Sequence, residues 1–502
     1  MAIIGLIELP AFKLLDARGD NWTAFRSGDP LGGKQILAGT LEAGGHEVRL
    51  INLKAGHDHV ETGSTVWNGL RLTKVVAGTH WTAVDPRGAD LWGISVNYLQ
   101  ERDTALEVVR HLARGSAPIV VGGSDALAEP MPYLQAGAAA VVMDKSGAAN
   151  LAIVNHLLDL SPSEPVSGVM LRSGKRVPNR IPPMAPETWR IPSQHLIRET
   201  LGSAYWESPL DPALTPIGAV MPDLGCDRKC DFCQTPTYRV GYQWMTPGRT
   251  RQWLQAQKDA GARSVIVLSD QFLGRTLWKE GRNDVLAIMR IFRELELPVL
   301  WGNGLEVSKA TLGRGMRNGD QAPDDELIDA LWGWDGHVGC AQAYIPAERP
   351  LAGGLAYAKL LTWQNHVAMM KAIVRAGVPD LTYGVIVGLP DDRREDCQAL
   401  ISALTDVRAE LKAINPALKF RVVPYAIRPL PGTPQTHSLS EMGLLRFTDP
   451  AIAGGFWTAC ADTHHMSYSE VSEWQHRIMV ELSDNEAGFQ GITGIAHVDA
   501  AG

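Results

Sequence analysis

The chain opens on a short run, Ile3 to Leu9, that is apolar at nearly every position rather than at alternate ones. A run of that length and pattern suits a strand buried on both faces. Ile36 to Ala43 then reads as a helix that stops at Gly44-Gly45, and Glu47 to Leu53 as the next strand. Ala89 to Val96 (ADLWGISV), Ala117 to Val121 and Ala138 to Met143 repeat the pattern. Between them Ala105, Val108, Val109 and Leu112 share one helical face, and a last helix follows Asp144-Lys145-Ser146-Gly147 to Leu160. Residues 1–160 are therefore expected to form an α/β, Rossmann-like domain with a parallel sheet covered on both faces. Ligands of such sheets sit at the carboxyl ends of the strands.

Residues 161–200 lose this periodicity and are rich in Pro and Ser, which predicts a linker with one hairpin around Ser173-Gly174. From 201 to 435 strand and helix alternate again. Strands are expected at Ser264–Leu268, Leu297–Gly302, Val338–Ala343, Leu381–Val387 and Lys419–Pro424. Helices are expected over Arg251–Ala260 and from beyond Ala343 to Ala376. The strand ends carry Ser269-Asp270-Gln271, then Asn303-Gly304-Leu305-Glu306, then Gly388-Leu389-Pro390-Asp391-Asp392. Repeated βα units of this number predict a full or partial barrel, whose polar strand ends form its catalytic face. Residues 436–502, with Phe456-Trp457, Tyr468 and Trp474, read as a small helical cap.

Composition narrows the class. The 502 residues are 45% hydrophobic and 20% charged, as in soluble globular proteins. Lys and Arg total 47 against 55 Asp and Glu, for a net charge of −8, which argues against non-specific nucleic-acid binding. No apolar run approaches a membrane span. The start, MAIIGLIELPAFKLLD, lacks the basic region and cleavage site of a signal peptide, and the expected place is a reducing cytoplasm. The 15 Trp are numerous for this length. Trp301, Trp332, Trp334 and Trp363 fall in the barrel region, where core packing is the default and an aromatic-lined pocket the alternative.

Three of the six cysteines, Cys226, Cys230 and Cys233, fall in GCDRKCDFCQTP, with spacing C-x3-C-x2-C. A cubane iron–sulfur cluster takes four ligands, so this run leaves one iron open. A structural zinc site wants a second C-x2-C unit or a histidine pair, but Cys340 stands alone and His464 and His465 are adjacent. A disulfide framework needs denser cysteines. Cys340, Cys397 and Cys460 are expected to be buried thiols.

GCDRKCDFC resembles the cluster loop of the radical S-adenosylmethionine (SAM) superfamily, in which SAM chelates the open iron. GVIVGLPDD resembles that family's fifth-strand element along the SAM adenosine, centred on Gly388. VVPYAIRPLPGTP resembles its sixth-strand segment. Where many members carry Gly-Gly-Glu for the SAM amino group, this chain has Ser269-Asp270-Gln271. Asp270 takes that role, approaches the open iron, or caps the next helix. By the same resemblance Asn303 and Gln342 are further cofactor-binding positions.

The N-terminal pieces GKQILAGTLEAGGHEVRLI, ADLWGISVNY, PIVVGGSDA and VVMDKSG resemble the cobalamin-binding domain fused to one radical SAM subclass. That resemblance implies Ser95, Asn97, Gly122, Gly123 and Ser124 as corrinoid-binding residues. Gly122-Gly123 is read as room for close backbone approach, or as a tight turn. Corrinoid proteins that ligate cobalt through histidine carry D-x-H-x-x-G. Here the run is DHVETG, Asp58 to Gly63, with the histidine one place early, which implies no histidine ligand. Arg71 is then a candidate below the cobalt, or a solvated arginine. The first 225 residues hold no cysteine, which excludes the methylthiotransferases with a second N-terminal cluster.

Together these resemblances imply a cobalamin-dependent radical SAM C-methyltransferase with a [4Fe-4S] cluster, SAM and cobalamin. Its methyl would pass from SAM through methylcobalamin to a carbon of a small molecule or amino acid, using an external electron donor and neither nucleic acid nor membrane. The altered second-strand motif and the missing cobalt histidine point to the type that methylates C2 of tryptophan in thiostrepton-like antibiotic pathways. That acceptor needs a base, for which Tyr344, Glu306 and His464 are the candidates. The rivals are rearrangement or cyclisation without methyl transfer, and a non-catalytic corrinoid-binding protein.

Overall fold

The computed structural model describes residues 1–23, 28–160, 166–204, 211–316, 318–351 and 361–484. The chain forms two compact units. The first comprises Met1–Thr200 with Asp231–Val240 and Arg428–Cys460; the second holds Leu201–Cys230, Gly241–Ile427 and the C-terminal remainder.

Strands of the first unit are β1 (Ile3–Glu8), β2 (Ala11–Leu15), β3 (Glu47–Asn52), β4 (Asp58–Trp67), β5 (Leu70–Gly78), β6 (Leu91–Ser95), β7 (Ile119–Gly122), β8 (Ala140–Val142), β9 (Val169–Leu171) and β10 (Arg176–Val177). The main sheet runs β10-β9-β8-β7-β6-β1-β3. β3, β1, β6, β7 and β8 are mutually parallel. Counted along the chain, these strands lie in the order 2-1-3-4-5, the flavodoxin-like arrangement, whose switch point falls between β1 and β6.

The apolar runs have a physical cause. Successive residues of one strand feed two different cores: Val121 and Val141 pack with Val108, Val109 and Leu112, whereas Val120 and Val142 pack with Leu41 and Ile153. Both faces of the sheet are thus covered by helices, Arg102–Leu112 on one and Gly32–Ala43 with Asn150–Leu157 on the other. The expected hairpin at Ser173-Gly174 is present as β9–β10, and it adds to the sheet edge antiparallel.

A second, antiparallel sheet, β2-β5-β4, was not expected from the hydrophobic pattern. β4 is mostly exposed, so its residues show no apolar period. The run DHVETG lies at its start.

Strands of the second unit are β11 (Ile217–Val220), β12 (Asp223–Leu224), β13 (Gln243–Trp244), β14 (Ser264–Val267), β15 (Val299–Trp301), β16 (Cys340–Glu348), β17 (Asp380–Val387) and β18 (Lys419–Ala426). Its sheet order is β11-β14-β15-β16-β17-β18, with every pair parallel. Helices Pro247–Asp259, Gly281–Glu294, Asp325–Trp332, Trp363–Arg375 and Arg394–Ile414 follow in turn. This is the βα alternation of a six-stranded partial barrel. The helix expected to reach Ala376 is described from Trp363; residues 352–360, like 161–165 of the linker and 485–502 of the cap, lie outside the described residues.

Helices mark which face is outer. A Cβ on Gly218 would meet Gln257 of helix Pro247–Asp259 at 3.0 Å, so Ile217 and Ala219 face the concave side. There they cluster with Ile266, Leu300 and Ala341. The last helix, Tyr468–Leu482, packs on β18, where Gln475 Nε2 donates to Pro424 O at 2.9 Å.

Candidate functional site

Three strand ends of the second unit build one polar network. Short strands β12 and β13 pair antiparallel and close the base of the loop that carries the cysteines. Asp270, at the end of β14, accepts the Gly225 N–H at 2.7 Å and so fastens the loop's first turn. The neighbouring helix begins at Phe272 without a side-chain cap, so Asp270 is not its cap. Asp223 is buried and accepts from Ser269 Oγ at 2.5 Å and the Gln271 N–H at 3.1 Å. Burial pushes its carboxyl up to about 6, against the pull of Arg275. Asn303, beyond β15, donates to Ser269 O at 3.0 Å.

Glu306 is 2% exposed and is met by several donors. Arg228 Nε lies 3.1 and 3.2 Å from its two oxygens, with Nη2 also bonded. Ser308 Oγ donates at 2.7 Å, Gln271 Nε2 at 2.8 Å, and Lys309 Nζ lies 3.4 Å away. Lys309, itself fully buried, also pairs with Asp227. A carboxylate held by two cations and two neutral donors is a poor base. Glu306 thus anchors the cysteine loop through Arg228. That partnership spans 78 residues and carried no sequence signal.

All six cysteines are free thiols, and Cys226, Cys230 and Cys233 are only partly buried. Cys226 Sγ accepts the Arg228 N–H at 3.4 Å and has Gln271 Nε2 at 4.0 Å, the kind of N–H contact that supports cluster sulfurs. Burial pushes the Cys226 thiol up. Among the described residues no three Cys, His, Asp or Glu side chains already converge on one point. The donor set fits an iron–sulfur cluster in kind. Cys340, Cys397 and Cys460 are buried and their thiols are pushed up by desolvation, Cys397 and Cys460 to about 12. They are inert core residues.

The concave face of the second sheet also holds a cavity of about 260 Å³. Its walls include Gln342, Tyr344, Thr382, Arg421 and Tyr425, with Asn303 near the strand ends. Gln342 and Tyr344, then Arg421 and Tyr425, point inward at the even spacing of strands. Trp301 touches the cavity, but its indole N–H donates to Leu331 O at 2.9 Å on the helix side. Trp332 is fully buried core. The aromatic wall is made by Tyr344 and Tyr425, not by tryptophan side chains. His464 is exposed and does not line the cavity; its backbone N–H donates to Pro390 O at 2.8 Å. Gly388 has φ +80, and a Cβ there would meet Val471 at 2.7 Å.

In the first unit, Ser95 pairs with Gly122 at the carboxyl ends of β6 and β7. Asn97 Oδ1 accepts the Ser124 N–H at 3.3 Å. Lys145 Nζ and Tyr238 Oη both donate to Ser124 Oγ at 2.7 Å, and Lys145 lies 5.2 Å over the Tyr238 ring. Lys145 and Tyr238 were missed as candidates, although Lys145 stands inside the VVMDKSG run. Gly123 has φ +100, and a Cβ would meet Val96 O at 2.2 Å. Its small size serves the chain's own tight turn. Arg71 is exposed on β5. At the ends of β1 and β3, Lys54 pairs with Glu8 at 2.7 Å and lies 4.0 Å from Glu101, and Lys34 donates to Ile7 O at 2.6 Å. Burial pushes Glu101 up to about 7.

No family model matches the chain, and no curated protein does. Its fold is similar to that of TsrM, a radical S-adenosylmethionine methyltransferase from Kitasatospora setae solved with cobalamin and a [4Fe-4S] cluster bound. The TM-score is 0.62 at 13% identity, over 96% of this chain and 88% of that one. It is also similar to OxsB, a cobalamin-dependent S-adenosylmethionine radical enzyme solved with aqua-cobalamin and S-adenosylmethionine. There the TM-score is 0.63 at 14% identity, over 94% of this chain and 66% of the OxsB chain. The two-sheet α/β architecture expected from the sequence is therefore one that known proteins adopt along nearly the whole chain. No described helix is long and apolar enough to cross a membrane.

Proposed function

We propose that this protein is a cobalamin-dependent radical SAM C-methyltransferase, moving a methyl group from SAM by way of cobalamin to a carbon of a small-molecule or amino-acid substrate, with C2 of tryptophan as the favoured acceptor. One observation carries the reading: a three-cysteine loop fastened beside the carboxyl ends of a six-stranded parallel sheet, in a chain whose length follows the TsrM fold. When bound, SAM supplies the methyl group, cobalamin carries it, and the cluster exchanges electrons with an external donor. Cys226, Cys230 and Cys233 hold the cluster as thiolates. Asp270 and Glu306 set the loop's position through Gly225 and Arg228. Ser95, Asn97, Gly122, Gly123 and Ser124 line the corrinoid loops, with Arg71 on its lower face, and Gly388 with Asn303 and Gln342 seats SAM. Of the three candidate bases, Tyr344 lines the cavity described above and Glu306 and His464 do not; as the phenolate, Tyr344 would receive the acceptor's proton. A reducing cytoplasm suits the cluster.

The test is an anaerobic preparation assayed for iron, sulfide and cobalamin, then given SAM and tryptophan. All three should load, and the product should gain one methyl in mass without stoichiometric 5′-deoxyadenosine. Iron without cobalamin, or no mass gain, would sink the reading. The equal likeness to OxsB supports a second reading, rearrangement or cyclisation, which the same mass measurement separates.

A further inference from the structure

We infer that residues 461–482 of the second unit clamp the turn formed by residues 388–392, and that Thr463 is the positioning residue through which this clamp sets SAM affinity. That the turn seats SAM rests on the proposed function; that the segment holds the turn follows from the bonds alone.

The turn follows β17 and is built around one carboxylate. Asp392 is 3% exposed, and its Oδ2 accepts the Leu389 N–H at 3.0 Å. Its own N–H donates to Leu389 O at 2.9 Å. Arg349, just past β16, brings Nη1 to 2.6 Å from its Oδ1. These contacts close the turn on itself and tie one side of it to the end of β16. The other side meets the C-terminal segment at three of the turn's residues. A Cβ on Gly388 would stand 2.7 Å from Val471, so helix Tyr468–Leu482 fills the space a side chain would need. Pro390 O accepts the His464 N–H at 2.8 Å. Asp392 O accepts the Thr463 hydroxyl at 3.0 Å.

Thr463 is suited to this task by its own bonds. It is 5% exposed, and its Oγ1 accepts the N–H groups of His465 at 3.0 Å and Met466 at 2.8 Å. A hydroxyl has two lone pairs and one proton. With both lone pairs taken, the proton is directed to Asp392 O. Capping the helix does not need Thr463: Ser467 does that, in a capping box with Glu470. His464, a candidate base by sequence, serves the turn through its backbone instead. A turn already held in one shape loses less freedom when a ligand settles on it. Loosening the clamp therefore weakens binding without removing a ligand contact.

The test uses the full chain, reconstituted anaerobically with iron and sulfide. SAM is titrated calorimetrically, and hydrogen exchange is followed at the Leu389 and Asp392 amides. Thr463→Val should weaken SAM about fivefold and speed exchange at both amides. Thr463→Ser, which keeps the hydroxyl, should restore both. Val471→Ala empties the space beside Gly388 and should act in the same direction, which keeps the inference open to test if Thr463→Val does not fold. Unchanged SAM affinity in Thr463→Val and Val471→Ala, or faster exchange with no loss of affinity, would overturn the inference. So would a loss that Thr463→Ser does not repair. A wild type that loads iron and cobalamin but binds no SAM refutes the proposed function; exchange at Leu389 and Asp392 then still upholds or overturns the hold of the segment on the turn.

Discussion

The two parallel sheets use their interior space in opposite ways. In the first, close packing leaves no room for a Cβ at two glycines. A Cβ on Gly5 would overlap Trp92 at 2.3 Å, and one on Gly123 would overlap Val96 O. Its central strands are apolar on both faces, and its polar residues stand at strand ends, on the edge strand β3 and in loops. In the second sheet the concave face is divided. Apolar residues of β11, β14 and β15 with Ala341 fill one part, while β16, β17 and β18 carry Gln342, Tyr344, Thr382, Arg421 and Tyr425 into a cavity. A strand covered on both sides by helices has no reason to bear inward polar residues. Where it does, those groups need partners, as Arg421 finds in Asp380.

The largest effect expected separates the sheets outright. Replacing Cys226, Cys230 and Cys233 together by Ala should drop iron and sulfide to background. Cobalamin binding by the first unit should persist, because none of Ser95, Asn97, Gly122, Gly123 and Ser124 is replaced. Iron retained by the triple variant, measured on the anaerobic protein, would break the cluster assignment.

Next is Glu306→Ala. It leaves Lys309 and Arg228 without the carboxylate that both face in a buried site. Stranding buried charge of this kind destabilises by about 3–5 kcal/mol. The expected result is a second-unit unfolding transition moved to lower denaturant, with the first unit's transition in place. A change within about 0.5 kcal/mol would mean that the network is solvated.

These predictions show what the sequence carried. Both parallel sheets were legible, because burial on two faces writes a continuous apolar run. The three-cysteine run stood out by its spacing, and its reading as a cluster loop leaned on the resemblance of the strands that follow it. The hairpin β4–β5 was missed since most of β4 faces solvent, although Asn68-Gly69 at its turn, both with positive φ, was a usable signal. The inward polar alternation of β16 and β18 was also there to be read. The pairing of Glu306 with Arg228 and the fit of Tyr344 against Gly384 were not, since each joins residues far apart in the chain and depends on tertiary packing.

Smaller, and tunable by pH, is the cost of burying a carboxyl in each sheet. Glu101 faces Lys54, Glu8, Lys34 and Tyr98; Asp223 faces Arg275, Ser269, Asp270 and Tyr242. Burial raises both above their unfolded values, to about 7 and about 6. The native state therefore holds the proton more tightly than the unfolded one, and stability falls as pH rises through the window. For Glu101 the window runs from 4.5 to about 7, and for Asp223 from 3.8 to about 6. Each is worth on the order of 3 kcal/mol at most. Glu101→Gln should flatten the loss near neutrality and leave the more acidic one, while Asp223→Asn should do the opposite. Identical profiles in both variants and wild type would remove these groups from the pH response.

The smallest effect belongs to Arg71, and it sharpens what the first sheet does. Arg71 is exposed on β5 opposite Val66, so Arg71→Ala should shift stability by no more than about 0.5 kcal/mol. If the residue lies under the cobalt, the same variant should still bind cobalamin but change its visible absorption, because removing a nearby cation eases axial coordination of water. A spectrum identical to wild type would return Arg71 to the solvated surface. The first unit would then act on its ligand only through the loops after β6, β7 and β8, where Asn97, Ser124 and Lys145 already meet.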